Sequence, residues 1–103
     1  MSDPILLLVN VWLKNNDVDA FPAFESKVAK IQARHGAKIE RAIRLDNPDQ
    51  DPTVPFAVHV VRFASREQLA AYRADAAMRE LASERGRIIA RTTIVEGRDV
   101  DLY

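Results

Sequence analysis

The sequence predicts an α+β fold with its elements in the order βαββαβ, which gives a four-stranded antiparallel sheet carrying its helices on one face. Three features carry this reading. Four segments have the apolar content or alternation of strands. Two segments between them repeat apolar residues at helical spacing. Turn and capping residues separate the six. No linker, repeat or low-complexity tract divides the 103 residues, so 1–103 is read as a single domain.

Ile5 to Lys14 reads as the first strand, with Ile5, Leu7, Val9, Val11 and Leu13 on one face and Leu6, Leu8, Asn10 and Trp12 on the other. Both faces are apolar for most of their length, so this strand needs cover on both sides. Asp17 to Gly36 reads as a helix. Phe24, Val28, Ile31 and His35 follow a four-three-four spacing, and Phe21 extends that face at its start. Asp19 or Asp17 is the candidate N-cap. Pro22 favours Asp19, because proline is tolerated only in the first turn. Gly36 supplies the left-handed residue that ends the helix.

Ala37 to Leu45 is the second strand, with Ile39, Ile43 and Leu45 in alternation. Asp46 to Pro52 is an acidic, turn-rich loop that leads to the third strand, Phe56 to Phe63. Ser65 opens the second helix, with Gln68 as its capping-box partner and Leu69 and Tyr72 as its apolar face. The phase slips near Ala74 and Asp75. Asp75 is therefore placed as the cap of a further segment, which carries Met78 and Leu81 and ends at Gly86. Arg87 to Glu96 is the fourth strand.

Right-handed crossovers put the first strand beside the third and fourth in a split-βαβ, or ferredoxin-like, sheet. Leu7, Val9, Val11 and Leu13 are assigned to the face under the helices. Leu6, Leu8, Trp12, Val58 and Val60 then share the uncovered face. An apolar sheet face of this extent is rarely left in water. The same face of a second copy is its simplest cover, so a homodimer is expected.

Composition excludes several functions. Hydrophobic residues make up 48% of the chain, and 15 Lys+Arg balance 15 Asp+Glu, so no global field favours nucleic acid or an anionic membrane. The absence of cysteine removes disulfides, thiolate metal sites and cysteine nucleophiles. The longest apolar run, Ile5 to Val9, is far too short to span a bilayer. The acidic start Met1-Ser2-Asp3-Pro4 lacks the basic region of a secretory signal, and a cytoplasmic protein is the expectation.

Five stretches, in order and spacing, resemble the dimeric α/β-barrel superfamily: Val9-Asn10-Val11, Phe21-Pro22-Ala23-Phe24, His35-Gly36-Ala37-Lys38, Val60-Val61-Arg62-Phe63-Ala64-Ser65-Arg66-Glu67 and Ile94-Val95-Glu96-Gly97. Within it, the chain is most similar to a family of small bacterial proteins known only as a domain of unknown function. It departs from that pattern at Asn10 and Arg62, where acidic residues are frequent, at Ala77 and Met78, where an aromatic is, and at Pro22. The resemblance implies two sheets packed face to face, with a pocket between the sheet and the helices or loops of each subunit. The superfamily includes cofactor-independent monooxygenases, EthD-like proteins, chlorite dismutases and haem-degrading enzymes, so fold alone does not choose an activity.

Asn10, Trp12 and Arg62 are the candidate ligand-binding residues. Asn10 and Trp12 share a face of the first strand. Arg62 lies on the third strand with Val58 and Val60, where it is expected to neighbour Asn10. An amide and a guanidinium beside an indole suit a carboxylate, phenolate or carbonyl. The resemblance adds that some cofactor-independent oxygenases use an asparagine and a tryptophan near an aromatic substrate; it reaches Asn10 by strand position only. The competing reading makes Trp12 a dimer anchor and pairs Arg62 with a carboxylate across the interface.

His59 shares the parity of Val61 and Phe63, which points it to the helix side. With Asn10 and Arg62 it completes the catalytic candidates. His35 ends the stripe of the first helix, where it gains from the helix dipole. The two histidines lack a carboxylate spacing for a metal site. Asp46, Asp49 and Asp51 lack the glycine and distal glutamate of a calcium loop and read as a solvated turn. Arg41, Arg44, Arg87 and Arg91 read as solvent-facing or interface ion-pairing groups. The scattered glycines make no phosphate loop, Ser65 has no base at a recognisable spacing, and no axial haem ligand stands in context, so no cofactor is expected.

Two functions are consistent with these residues. One is a sheet-side pocket, on the order of a few hundred cubic ångströms, that binds a small organic molecule in a cofactor-independent oxygenase or an isomerase-like enzyme. The other is a non-catalytic structural module whose sheet face serves only dimerisation.

Overall fold

The computed structural model describes residues 4–14, 18–46 and 51–102. The elements are β1 (Ile5–Leu13), α1 (Ala20–Arg34), β2 (Lys38–Arg44), β3 (Ala57–Phe63), α2 (Arg66–Arg73), α3 (Ala76–Glu80), α4 (Ala82–Ile88) and β4 (Ile89–Gly97). The strands form one sheet in the order β2-β3-β1-β4, every neighbouring pair antiparallel. This is the ferredoxin-like arrangement that the order of elements dictates.

Alternation decides which face each strand residue takes. Ile5, Leu7 and Val11 of β1 and Ala57, His59, Val61 and Phe63 of β3 are buried beneath the helices. From α1 they meet Phe21, Phe24, Val28 and Ile31, the stripe read from the helical spacing. The buried side chains form two clusters. Val11, Phe21, Phe24, Val28, Phe56, Ala57 and Ile88 make one. Ile5, Leu7, Val61, Phe63 and Leu69 make the other.

The outer face is set by the register. Leu8 lies between Val60 and Val95, Asn10 between Val58 and Thr93, and Trp12 opposite Arg91. Leu8 and Val95 are 40% and 56% exposed, so this face carries apolar side chains in water. The molecule measures 43 × 40 × 16 Å, a slab one sheet and one helix layer thick.

α1 ends as its sequence dictates. The N–H of Gly36 donates to the Ala33 carbonyl at 3.1 Å and that of Ala37 to the Gln32 carbonyl at 3.0 Å, with Gly36 at φ +73°. A side chain there meets a left-handed backbone and places Cβ 2.6 Å from Gln68 Nε2. The amide is the far end of a flexible side chain and can swing away, so the backbone term dominates. Gly36→Ala is expected to cost about 1–2 kcal/mol, read as a lower urea midpoint at unchanged slope.

Five local features differ from the sequence reading or refine it. Asp19 holds the N-cap position of α1, but its backbone is already helical and its side chain makes no capping bond; Asp17 and Asp49 lie outside the described residues. A bulge between Ile39 and Arg41 breaks the alternation of β2, so Ile39 faces inward opposite Val61 and Ile43 outward opposite Val58. The capping box of α2 is half made: Ser65 Oγ accepts from the Gln68 N–H at 3.2 Å, while the buried Gln68 Oε1 has no partner among the described residues. Asp75 caps α3 as expected, its Oδ1 accepting from the Ala77 N–H at 2.9 Å. The chain does not stop at Gly86, which lies inside α4; that helix runs to Ile88 and passes directly into β4.

Candidate functional site

The two core clusters do not close on each other. Between them lies a cavity of about 160 Å³. Leu7, Val9, Val11 and Val61 form its floor on the sheet, Phe24, Val28, Met78 and Leu81 its roof, and Ile89, Thr92 and Ile94 of β4 its side. Ile94 is 51% exposed, so the cavity opens to water along β4.

Besides Thr92, five polar residues enter this apolar shell: Glu25, Gln32, His59, Tyr72 and Arg85. Glu25, Val28 and Gln32 stand at i, i+3 and i+7 on α1, one line of the helix surface. His59 reaches the cavity because it shares the inward parity of Ala57 and Val61. It is buried, with Nδ1 3.3 Å from Glu25 Oε2. Its ring lies tilted 6.0 Å from that of Phe21, which helps to fix its plane.

Tyr72 comes from α2 and rests on the Phe63 ring at 5.3 Å. Burial pushes its hydroxyl above the ordinary tyrosine value, a hydrogen bond with the Gln32 side chain pulls it partway back, and the charge of Glu25 adds to the rise. Its hydroxyl therefore stays protonated across the neutral range. Because the folded pKa is raised, whatever stability the neutral hydroxyl contributes is complete below the ordinary tyrosine pKa. It is lost as pH rises through the higher folded value. Ultraviolet titration is expected to show Tyr72 ionising on the alkaline side of a free tyrosine; ionisation at or below the free value contradicts this.

Gln32 is 8% exposed, and its Oε1 has no hydrogen-bond partner among the described residues. A buried carbonyl oxygen left unpaired costs about 1–3 kcal/mol, so its presence needs a reason. Arg85 of α4 stands at the open side, its Nη2 donating to Thr92 Oγ1 at 2.8 Å.

Of the residues singled out from sequence, only His59 lines this cavity. Asn10, Trp12 and Arg62 lie on the opposite face of the sheet. Asn10 and Arg62 are not neighbours: Asn10 is opposite Val58 and Arg62 opposite Leu6. That offset of four residues is about 13 Å along the strand. Asn10 Nδ2 donates to Thr93 Oγ1 at 3.1 Å. Trp12 is covered by the Arg91 guanidinium at 4.6 Å, and its buried Nε1 has no hydrogen-bond partner among the described residues. Arg62 pairs with Glu40 and with Asp99 of its own chain, the latter at 2.6 Å.

His35 is a tie between helices, not a cavity residue. Its Nε2 lies 2.7 Å from Asp75 Oδ2, joining the end of α1 to the cap of α3. The bond from His35 holds the Asp75 carboxyl below the usual carboxylate range, and the Ala77 N–H adds to it. Since the folded pKa is lowered, this contribution is complete above the ordinary carboxylate value and is lost as pH falls through the folded one. Asp75→Ala is expected to lower the urea midpoint at pH 6 and to match the native chain near pH 2. A deficit of equal size at both pH values would contradict this. Asp51 closes an Asx turn on Thr53, as expected of a solvated loop. No cluster of three metal-ligating side chains occurs among the described residues.

The sequence reading missed Glu25, Gln32, Tyr72 and Arg85 as site residues. The signal for the first two was present. Each flanks the apolar stripe of α1 at Val28, and a polar residue at that border is either solvated or faces a gap in the core.

An α+β sandwich with a cavity between its sheet and helix layer is the class this geometry defines, and solved structures share its fold. A protein of unknown function from Rhodopseudomonas palustris superposes with a TM-score of 0.76 at 17% identity, covering 99% of this chain and 86% of its own. A dabb family protein with a ferredoxin-like fold from Mesorhizobium loti gives 0.71 at 14% identity, covering 97% and 100%. A protein from Nitrosomonas europaea, whose name assigns it provisionally to the antibiotic biosynthesis monooxygenases, gives 0.69 at 16% identity, covering 97% and 93%. No protein family and no curated protein matches the sequence. The likeness establishes the fold, the ferredoxin-like one. No helix among the described residues is long and apolar enough to cross a membrane.

Proposed function

We propose that this chain binds a single-ring organic molecule with a hydroxyl or carbonyl end in the cavity between sheet and helices, and that His59 moves a proton there without a cofactor. The observation that carries this reading is the unpartnered, buried Oε1 of Gln32 on the cavity wall. An acceptor in that position is satisfied by a ligand hydroxyl. The size agrees, since an apolar protein cavity of about 150 Å³ takes benzene. Tyr72, held neutral, donates to a carbonyl or developing oxyanion. Glu25 Oε2, 3.3 Å from His59 Nδ1, favours the tautomer that leaves Nε2 as the basic nitrogen. Proton abstraction of this kind begins cofactor-independent oxygenation and isomerisation alike. The name of the Nitrosomonas europaea neighbour supports a small organic substrate.

The chain also pairs with a second copy through the outer face, where Leu6, Leu8, Val58, Val60 and Val95 lie together. The thin slab and its exposed apolar residues support this. In this reading Asn10, Trp12 and Arg62 belong to the pairing face and the cavity residues to the site.

p-Cresol tests the cavity. Methyl resonances of Val9, Val28 and Val61 are expected to shift in a saturable way, with a Kd on the order of 1 mM. Leu81→Trp, which fills the space, is expected to abolish the effect while the fold survives by circular dichroism. An absence of saturable shifts in the native chain would sink the reading.

A further inference from the structure

We propose that the ligand of this cavity carries a carboxylate at its outer end, held by Arg85 with Thr92, so that the substrate class is the small hydroxylated aromatic acids. This rests on the cavity reading above and narrows it. Arg85 stands where the cavity opens between α4 and β4, and its Nη2 bridges that opening to Thr92 Oγ1 at 2.8 Å. Its partner is a neutral hydroxyl. Four other described cations are committed elsewhere. Lys27 is bound to Glu84, and Arg66 and Arg73 both to Glu96. Arg44 lies over the Phe56 ring at 4.7 Å. No ion pair between Arg85 and a carboxylate occurs among the described residues.

The cavity itself is polarised. Its one carboxylate, Glu25, is taken by His59 on the α1 side, and its one guanidinium is at the β4 side. A ligand matched to both ends presents a hydrogen-bonding hydroxyl to Gln32 and Tyr72, an apolar ring to Val9, Val28 and Leu81, and a negative group to Arg85. A guanidinium presents parallel N–H donors that fit the two oxygens of a carboxylate. The Arg85 charge is also felt at Tyr72, where it opposes the rise caused by burial. The cation and the buried hydroxyl thus act on the same space. Neutralising Arg85 with a bound carboxylate removes that opposition and favours the protonated, donating form of Tyr72 further.

The test compares ligands that differ only in the charged group. p-Cresol and m-cresol are matched with 4-hydroxybenzoate and 3-hydroxybenzoate, and dissociation constants are read from the cavity methyl resonances of the full chain. At least one acid is expected to bind about tenfold more tightly than its cresol, and the advantage should shrink as salt is raised. In Arg85→Gln, whose exposed position spares the fold, the acid-to-cresol ratio should fall to about one. Thr92→Val should reduce it part of the way. A ratio near one in the native chain, or one unchanged in Arg85→Gln, overturns the proposal while cresol binding leaves the cavity reading standing. Failure of all four compounds overturns both.

Discussion

Phe63→Ala is expected to lower the stability of the fold by about 3–5 kcal/mol, the range for deleting a buried phenylalanine. Phe63 has no exposed surface and packs with Ile5, Leu7, Val61 and Leu69. Neither neighbouring strand can close over the void, because the β1–β3 ladder fixes their spacing; Ile5 is paired directly with Phe63. A domain of this size has about 5–15 kcal/mol in hand, so one substitution removes a large share of it. The effect reaches the site as well. The Tyr72 ring rests on Phe63 at 5.3 Å, and without that support its hydroxyl loses its fixed position against Gln32. Urea unfolding at fixed protein concentration measures the first effect, and p-cresol affinity in the folded variant the second. A loss under about 1 kcal/mol would mean that the second core cluster relaxes into the space, contrary to the rigidity that the cavity reading requires.

The fold was legible because its signals are local and agree with one another. The double apolar alternation of Ile5 to Leu13, the stripe through Phe24, Val28 and Ile31, the cap at Asp75 and the turn at Gly36 each depend on nearby residues, and their order admits few topologies. Periodicity fails where the backbone adds or skips a residue. The bulge between Ile39 and Arg41 leaves no mark in the pattern. Gly86 resembles a helix stop only because Arg87 to Glu96 has the apolar content of a strand. The site was legible only in part for a related reason. Parity placed His59 beneath the helices, but parity carries no register, so Asn10 and Arg62 were drawn together although the ladder sets them four residues apart. A cavity is a failure of two clusters to meet, and that depends on side-chain volumes across three elements rather than on any one segment. Chemistry and self-association therefore competed for the same residues in the sequence. In the structure the cavity and the proposed pairing surface occupy opposite faces of one sheet.

Leu8→Arg is expected to turn the proposed homodimer into a monomer with an intact cavity. Leu8 sits between Val60 and Val95 on the outer face and is already 40% exposed in the single chain, so an arginine there is solvated and leaves the fold in place. In the dimer the same charge is buried without a partner, which costs about 3–5 kcal/mol. A symmetric interface incurs it twice. Association is then weakened by more than about a thousandfold. Light scattering should give twice 11.6 kDa for the native chain and 11.6 kDa for the variant. Trp12→Ala is the less informative change, because Trp12 also packs beneath Arg91 within its own chain and its loss disturbs the sheet directly. The decisive comparison is p-cresol binding by monomeric Leu8→Arg. The strand residues that line the cavity lie on the helix side of the sheet, not on the outer face, so binding should persist in the monomer. Loss of binding together with the dimer would mean that the second copy shapes the site, and a native chain that scatters as 11.6 kDa would remove the pairing altogether.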